Sequence, residues 1–142
     1  MLWDRSLSVG IETIDNQHQR IIEYINELEF SLRDNDRNTV GAIIEKMINY
    51  TLTHFSFEEA VMEHAGYKLL KEHRMVHESF SRQIREYRRR FEAGEDVTRQ
   101  LHGVLRSWLV NHIKRDDQDY APVARAAMEP NWMKQTLRRF FG

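Results

Sequence analysis

HRMVHESFSRQIREYRRRF, residues 73–91, decides the fold. His73, His77, Phe80, Ile84, Tyr87 and Phe91 recur at steps of three and four, so all six share one face of an α-helix. Ala93-Gly94 closes the pattern. The basic run Arg85-Glu86-Tyr87-Arg88-Arg89-Arg90 sits at helical spacing and reads as a solvated face, not a nucleic-acid site. Two histidines heading an otherwise apolar stripe are the unusual feature.

The same periodicity extends outward in both directions. Ile14, His18, Ile21, Ile22, Ile25, Leu28 and Leu32 form a first stripe, with Thr13 as its expected N-cap and the polar stretch 33–38 ending it. Val40, Ile43, Ile44, Met47, Thr51, His54, Glu58, Val61 and Met62 form a second, stopping near Gly66. A fourth starts at Asp96 and carries Val97, Leu101, Val104, Leu105, Trp108, Leu109, His112 and Ile113. Helices of roughly 20 residues run about 30 Å, and short connections favour antiparallel neighbours. The expected fold is all-α: an up-down-up-down antiparallel four-helix bundle spanning residues 1–120. Residues 1–12 form an extended N-terminal arm across it. Residues 121–142 form a separate extension ending in a short amphipathic helix after Pro130. That helix sets Trp132, Met133, Leu137, Phe140 and Phe141 against Lys134, Gln135, Arg138 and Arg139.

Composition narrows the chemistry. The 142 residues carry 21 basic and 22 acidic side chains, so no global field steers the chain to nucleic acid or to a membrane. Cysteine is absent, which excludes disulfides, iron–sulfur clusters, thiolate zinc sites and thiol nucleophiles. No apolar run is long enough to span a bilayer, and the start lacks the pattern of a signal peptide. A cytoplasmic domain is expected.

Five of the seven histidines fall on inward stripes. Residues four apart lie about 40° apart around a helix and reach one point in space. The second and third helices therefore each offer a two-donor claw, His54/Glu58 and His73/His77. His18 and His112 add one donor each from the outer two. Buried imidazoles and carboxylates need partners, and metal ions supply them. The acid behind His112 is ambiguous. Asp116 holds the regular i+4 position, while Asp117 lies about 140° away and reaches the site only if a π-type turn intervenes. His64 and His102 lie off these faces and read as surface residues; Tyr120 reads equally as a packing residue or a hydrogen-bonding neighbour of the site.

The arm and first helix read Trp3-Asp4, then Leu7-Ser8-Val9-Gly10-Ile11, then Ile14-Asp15-x-Gln17-His18. Together with His54-x-x-x-Glu58, His73-x-x-x-His77 and His112-Ile113-x-x-x-Asp117, over roughly residues 1–120, the chain closely resembles the bacterial hemerythrins. That resemblance implies a non-haem di-iron centre with a bridging oxo or hydroxo group, binding dioxygen reversibly. It assigns one iron to His73, His77 and His112, the other to His18 and His54, with Glu58 and Asp117 as bridges, and it selects Asp117 over Asp116. Filling two octahedral ions in this way leaves a single open corner, on the iron with two histidines.

Ile21, Phe55, Trp108, Leu109 and Ile113 adjoin the donors along the chain and are expected to line an apolar oxygen pocket. Such a lining favours reversible binding over oxidation chemistry. The expectation is therefore an oxygen carrier, store or scavenger and not an enzyme. An oxygen or redox sensor acting on a separate partner is the alternative; nitric oxide or peroxide handling, or iron donation, ranks below it. The tail helix is expected to dock on this bundle or a second copy, with partner or membrane contact as the other readings.

Overall fold

The computed structural model describes residues 1–33 and 36–142; Asp34 and Asn35, inside the polar stretch expected to end the first helix, lie outside the described residues. Four long rods form the body: α1 (Glu12–Ser31), α2 (Arg37–Ala65), α3 (Leu70–Glu92) and α4 (Thr98–His112). A five-residue π turn, Ile113–Asp117, joins α4 to α5 (Gln118–Ala127), and α6 (Pro130–Phe141) follows. No helix among the described residues is long and apolar enough to cross a membrane.

Each rod forms where its stripe predicts, and most stripe residues are buried, joined by Ile48 and Phe57, which the stripes did not include, while Ile43, Tyr87 and Val104 are only half-buried. Ile14, Ile21, Ile25 and Leu28 of α1 meet Ile44, Met47, Ile48 and Met62 of α2 in a core that also takes Ile84 and Leu101. Pairs along the rods give their direction. His18 faces His54 while Tyr24 faces Tyr50. Glu59 meets Arg74 while Glu45 meets Arg88. His77 meets His112 while Phe80 stacks on Trp108. As one number rises the other falls, so successive rods run antiparallel.

Helix ends show how local chemistry sets boundaries. Asp36 caps α2 by accepting from the backbone N–H groups of Asn38 and Thr39, and Gly66 ends it in the left-handed region at φ 71°. At α1 the expectation of Thr13 as N-cap fails. The helix starts at Glu12 behind Ile11, with no side-chain cap. Asp15 instead reaches back, accepting from Ser8 Oγ at 2.6 Å and Val9 N at 2.9 Å. The acid that favours the helix's positive end also ties down the arm.

The arm is not wholly extended. Asp4 caps a short 3-10 turn at Arg5–Leu7, after which Leu7, Val9 and Ile11 alternate into the core. Gln118 donates to the Ser8 carbonyl and Arg125 to the Val9 carbonyl. Gly10 turns at φ 73° with the Arg125 side chain 3.1 Å from where a Cβ would stand. The arm is thus clamped by α5, the helix that runs across residues 120 and 121. Ala121 and Ala124 are fully buried, so this stretch completes the fourth rod before the chain turns into α6.

The α6 helix docks on α2. Trp132 stacks on His64 with centroids 3.9 Å apart, while Phe140 and Phe141 meet Phe57 at 6.2 and 5.9 Å. Phe141 also leans on Tyr50. Burying Phe57 alone is worth about 1.5–3 kcal/mol, ample to hold a short helix in place.

Candidate metal centre

All seven expected donors converge in the interior, each no more than 5% exposed. α1 brings His18, α2 brings His54 and Glu58, α3 brings His73 and His77, α4 brings His112 as its last residue, and the π turn behind it brings Asp117. The donors form two groups that share Glu58. One joins Glu58, His73, His77, His112 and Asp117; the other joins His18, His54 and Glu58, with donor atoms in each within 4.8 Å of one another.

The two carboxylates straddle these groups. Glu58 turns Oε1 to His73 Nε2 and His77 Nε2 at 3.1 and 3.0 Å, and Oε2 to His54 Nε2 and His18 Nε2 at 3.4 and 3.6 Å. Asp117 turns Oδ1 to His73 and His112 Nε2, both at 3.1 Å, and Oδ2 to His18 Nε2 at 3.2 Å. Each acid therefore addresses both groups with separate oxygens. The π turn is what makes this possible: its wider loop takes one extra residue, and Asp117 occupies the angular slot that i+4 holds in an α-helix. Asp116 faces outward and accepts from His112 Nδ1 at 2.8 Å.

A proton network does not account for this arrangement. Asp117 Oδ1 and Oδ2 and both His18 nitrogens are buried without a hydrogen bond, although His18 Nε2 and Asp117 Oδ2 are only 3.2 Å apart. They are close in distance but misaligned for bonding each other. His77 Nε2 lies 3.1 Å from both His73 Nε2 and His112 Nε2. Neighbouring ligands on an octahedral ion with bonds of about 2.1 Å stand about 3 Å apart. Nitrogen and carboxylate donors so spaced fit a pair of first-row divalent ions.

Electrostatics agrees. Burial pushes His18 down, but Asp117 and Glu58 outweigh it and raise the imidazole to about 9. His73, opposed by burial in the same way, is raised by Asp117 and Glu58 to about 10. In His54 burial wins over Glu58, and its affinity for a proton falls. Glu58 is held well below the carboxylate range by His18 and His54, against burial. Asp117 is held down against burial and the Glu58 charge by His112 and His18. Concentrated negative charge that draws protons onto imidazole attracts cations for the same reason.

The outer faces of the imidazoles are also held. His54 Nδ1 donates to Gln17 Oε1 at 2.6 Å and His77 Nδ1 to Glu59 Oε2 at 3.1 Å. Tyr120, fully buried, donates its O–H to Glu58 Oε2 at 3.0 Å. Sequence reasoning missed Glu59, which lies off the apolar stripe and beside a stronger candidate. Gln17 carried a signal in its motif position, and a neighbour of a helical histidine is a natural partner for a ligand one rod away.

The expected pocket residues are nearby but unevenly spread. Phe55 stacks on His77 at 4.0 Å, and Trp108, half-buried, stacks on His112 at 4.3 Å. Both therefore cover the three-histidine group. Ile21, Leu109 and Ile113 are buried in the same core. His64 is exposed except for its stack on Trp132, and His102 lies 3.7 Å from Glu29, away from the cluster.

Comparison with known proteins agrees with this geometry. The hemerythrin HHE cation binding domain family matches residues 9–124. The chain is 43% identical to the bacteriohemerythrin of Pseudomonas aeruginosa (strain LESB58), over all of this chain and 98% of that protein. It is 31% identical to the bacteriohemerythrin of Methylococcus capsulatus (strain Bath), over 89% of this chain and 98% of that protein. The crystal structure of wild-type hemerythrin superimposes with a TM-score of 0.84 at 28% identity, covering 87% of this chain and 97% of that one. A four-helix bundle with paired cation-binding claws, matched across its whole length to bacteriohemerythrins, belongs to the hemerythrin family.

Proposed function

We propose that this chain binds dioxygen reversibly at a pair of non-haem irons, as a carrier, store or scavenger. His73, His77 and His112 would hold one iron, His18 and His54 the other, with Glu58 and Asp117 shared between them. The observation that carries the reading is the split of each carboxylate between the two histidine groups. Two irons held there would supply the reducing electrons and the exchangeable coordination corner that dioxygen takes.

The chain's own residues do the rest. Tyr120 fixes Glu58 by donating to Oε2, and Gln17 fixes the His54 ring by accepting from Nδ1. The Gln17 bond leaves His54 Nε2 free to face the cluster. Ile21, Phe55, Trp108, Leu109 and Ile113 set apolar surface beside the donors, with Phe55 and Trp108 over the three-histidine group, and none of them carries an acid or a base. An apolar wall of this kind favours release of dioxygen unchanged. The boundary at residue 120 falls inside α5, whose buried Ala121 and Ala124 complete the fourth rod, so the binding unit runs on through α5 and α6 is the extension.

The test is a visible charge-transfer band on the iron-loaded, reduced protein that appears in air and fades under vacuum. His77→Ala should lose iron and the band together. A protein purified colourless and iron-free from iron-replete cells would end the proposal. The docking of α6 on α2, the helix carrying His54 and Glu58, supports a second reading as an oxygen sensor. In that case Trp132 emission changes between air and its absence.

A further inference from the structure

The outer nitrogens of the imidazoles are treated differently at the two ends of the site. At the three-histidine end, His77 Nδ1 donates to the Glu59 carboxylate at 3.1 Å and His112 Nδ1 to the Asp116 carboxylate at 2.8 Å. At the two-histidine end, His54 Nδ1 donates to the neutral amide oxygen of Gln17, and His18 Nδ1 has no partner. Two carboxylates therefore back one end and none backs the other; their counter-charges, Arg74 at 2.8 Å from Glu59 and Arg115 at 3.6 Å from Asp116, lie on the exposed far sides, away from the rings. Neither acid is fully solvated: side-chain exposure is 18% for Glu59 and 23% for Asp116, so water screens them only in part. Arg74 Nε, donating to Glu59 Oε1 at 2.8 Å, keeps that carboxylate turned to His77.

A carboxylate behind a ligating imidazole makes the ring a stronger donor and stabilises the more highly charged ion. We propose that Glu59 and Asp116 are positioning residues that make the His73–His77–His112 end the easier of the two to oxidise. The inference rests on the di-iron reading above. Each oxidation takes one electron from one iron to the electrode; the Nδ1 protons stay on His77 and His112, and no covalent bond changes. The end held by His18 and His54 keeps the higher potential.

A mediator-controlled potentiometric titration of the iron-loaded protein, after an iron count, tests this. The wild type is expected to oxidise in two separated one-electron steps. Glu59→Gln and Asp116→Asn keep shape and remove charge. Each should lower the oxidised-to-reduced ratio of the first step roughly tenfold at fixed potential, a rise of about 59 mV, and move the second step less. Gln17→Glu should lower the second step instead. Glu78 shares with Glu59 and His77 the lining of a cleft of about 320 Å3 but bonds no imidazole, so Glu78→Gln removes a nearby charge and should leave both steps in place.

Should a variant lose iron, the zinc-loaded form is read by the Nδ1–H proton resonances of His77 and His112. These should lie far downfield in the wild type and move upfield only for the ring whose partner is changed. Two irons per chain with steps unmoved by Glu59→Gln and Asp116→Asn, or a single wild-type step, overturns this inference alone. A wild type that takes up no iron pair overturns it together with the functional reading.

Discussion

Deleting Lys114 should be far less damaging than deleting Arg106, although both residues are exposed and lie eight positions apart near the end of the same rod. In a regular helix a deletion turns everything beyond it by about 100° and draws it back about 1.5 Å. Removing Arg106 does this to Leu109, His112, Ile113, Asp117 and Tyr120, all of them buried. Leu109, Ile113 and Tyr120 together would forfeit at least about 5 kcal/mol of burial, as much as many domains possess in total. Lys114 lies within the π turn, which holds one residue more than an α turn. Its deletion lets the turn relax to α-geometry and returns Asp117 to the i+4 position from His112. Everything downstream keeps its register. The exposed cost is the Asp116–His112 hydrogen bond, about 1.5–3 kcal/mol for a bond to a charged group. Urea denaturation of the metal-free proteins, with an iron count on the loaded ones, reads both effects. The Lys114 deletion should fold cooperatively and hold two irons; the Arg106 deletion should do neither. Equal damage from the two would refute the idea that the π turn absorbs one inserted residue to place Asp117.

Tyr120→Phe leaves the ring packed but strips Glu58 Oε2 of its donor, so the metal-free protein should lose about 1.5–3 kcal/mol in a urea midpoint with its helix content intact. Metal uptake should release protons. His18 and His73 titrate near 9 and 10 instead of the ordinary 6.5, so at pH 7 both are charged and must give up about two protons per chain to become ligands. Calorimetry in buffers of different ionisation enthalpy should record that release, and its disappearance above pH 10; no release at pH 7 would contradict it. The same raised groups stabilise the metal-free fold fully below pH 6.5, and that contribution drains away as pH climbs through 9 to 10. His64→Ala removes the Trp132 stack, worth about 0.5–1.5 kcal/mol, and should shift Trp132 emission to the red while iron content stays unchanged.

The inward stripes were legible in the sequence because each is an uninterrupted run of threes and fours, and the histidines sit on those runs instead of beside them. The choice between Asp116 and Asp117 was legible only as a conflict. Ideal spacing favoured one and motif position the other, and the conflict itself pointed to a π turn. Other features were hidden because they depend on partners distant in sequence. Thr13 was a reasonable N-cap until Asp15 found Ser8 and Val9, which no local rule anticipates. Glu59 lies off the apolar stripe, and only the approach of α3 makes it the partner of His77.

The seven donors are strung between residues 18 and 117, so no fragment of the chain carries a working set. During synthesis the three earlier rods emerge with their claws incomplete, and Asp117 arrives last of the seven. Cation capture is therefore a certificate of finished assembly: it rewards only the chain that has closed all four rods. Binding energy delivered so late acts on the completed structure and slows its unravelling far more than it hastens its formation.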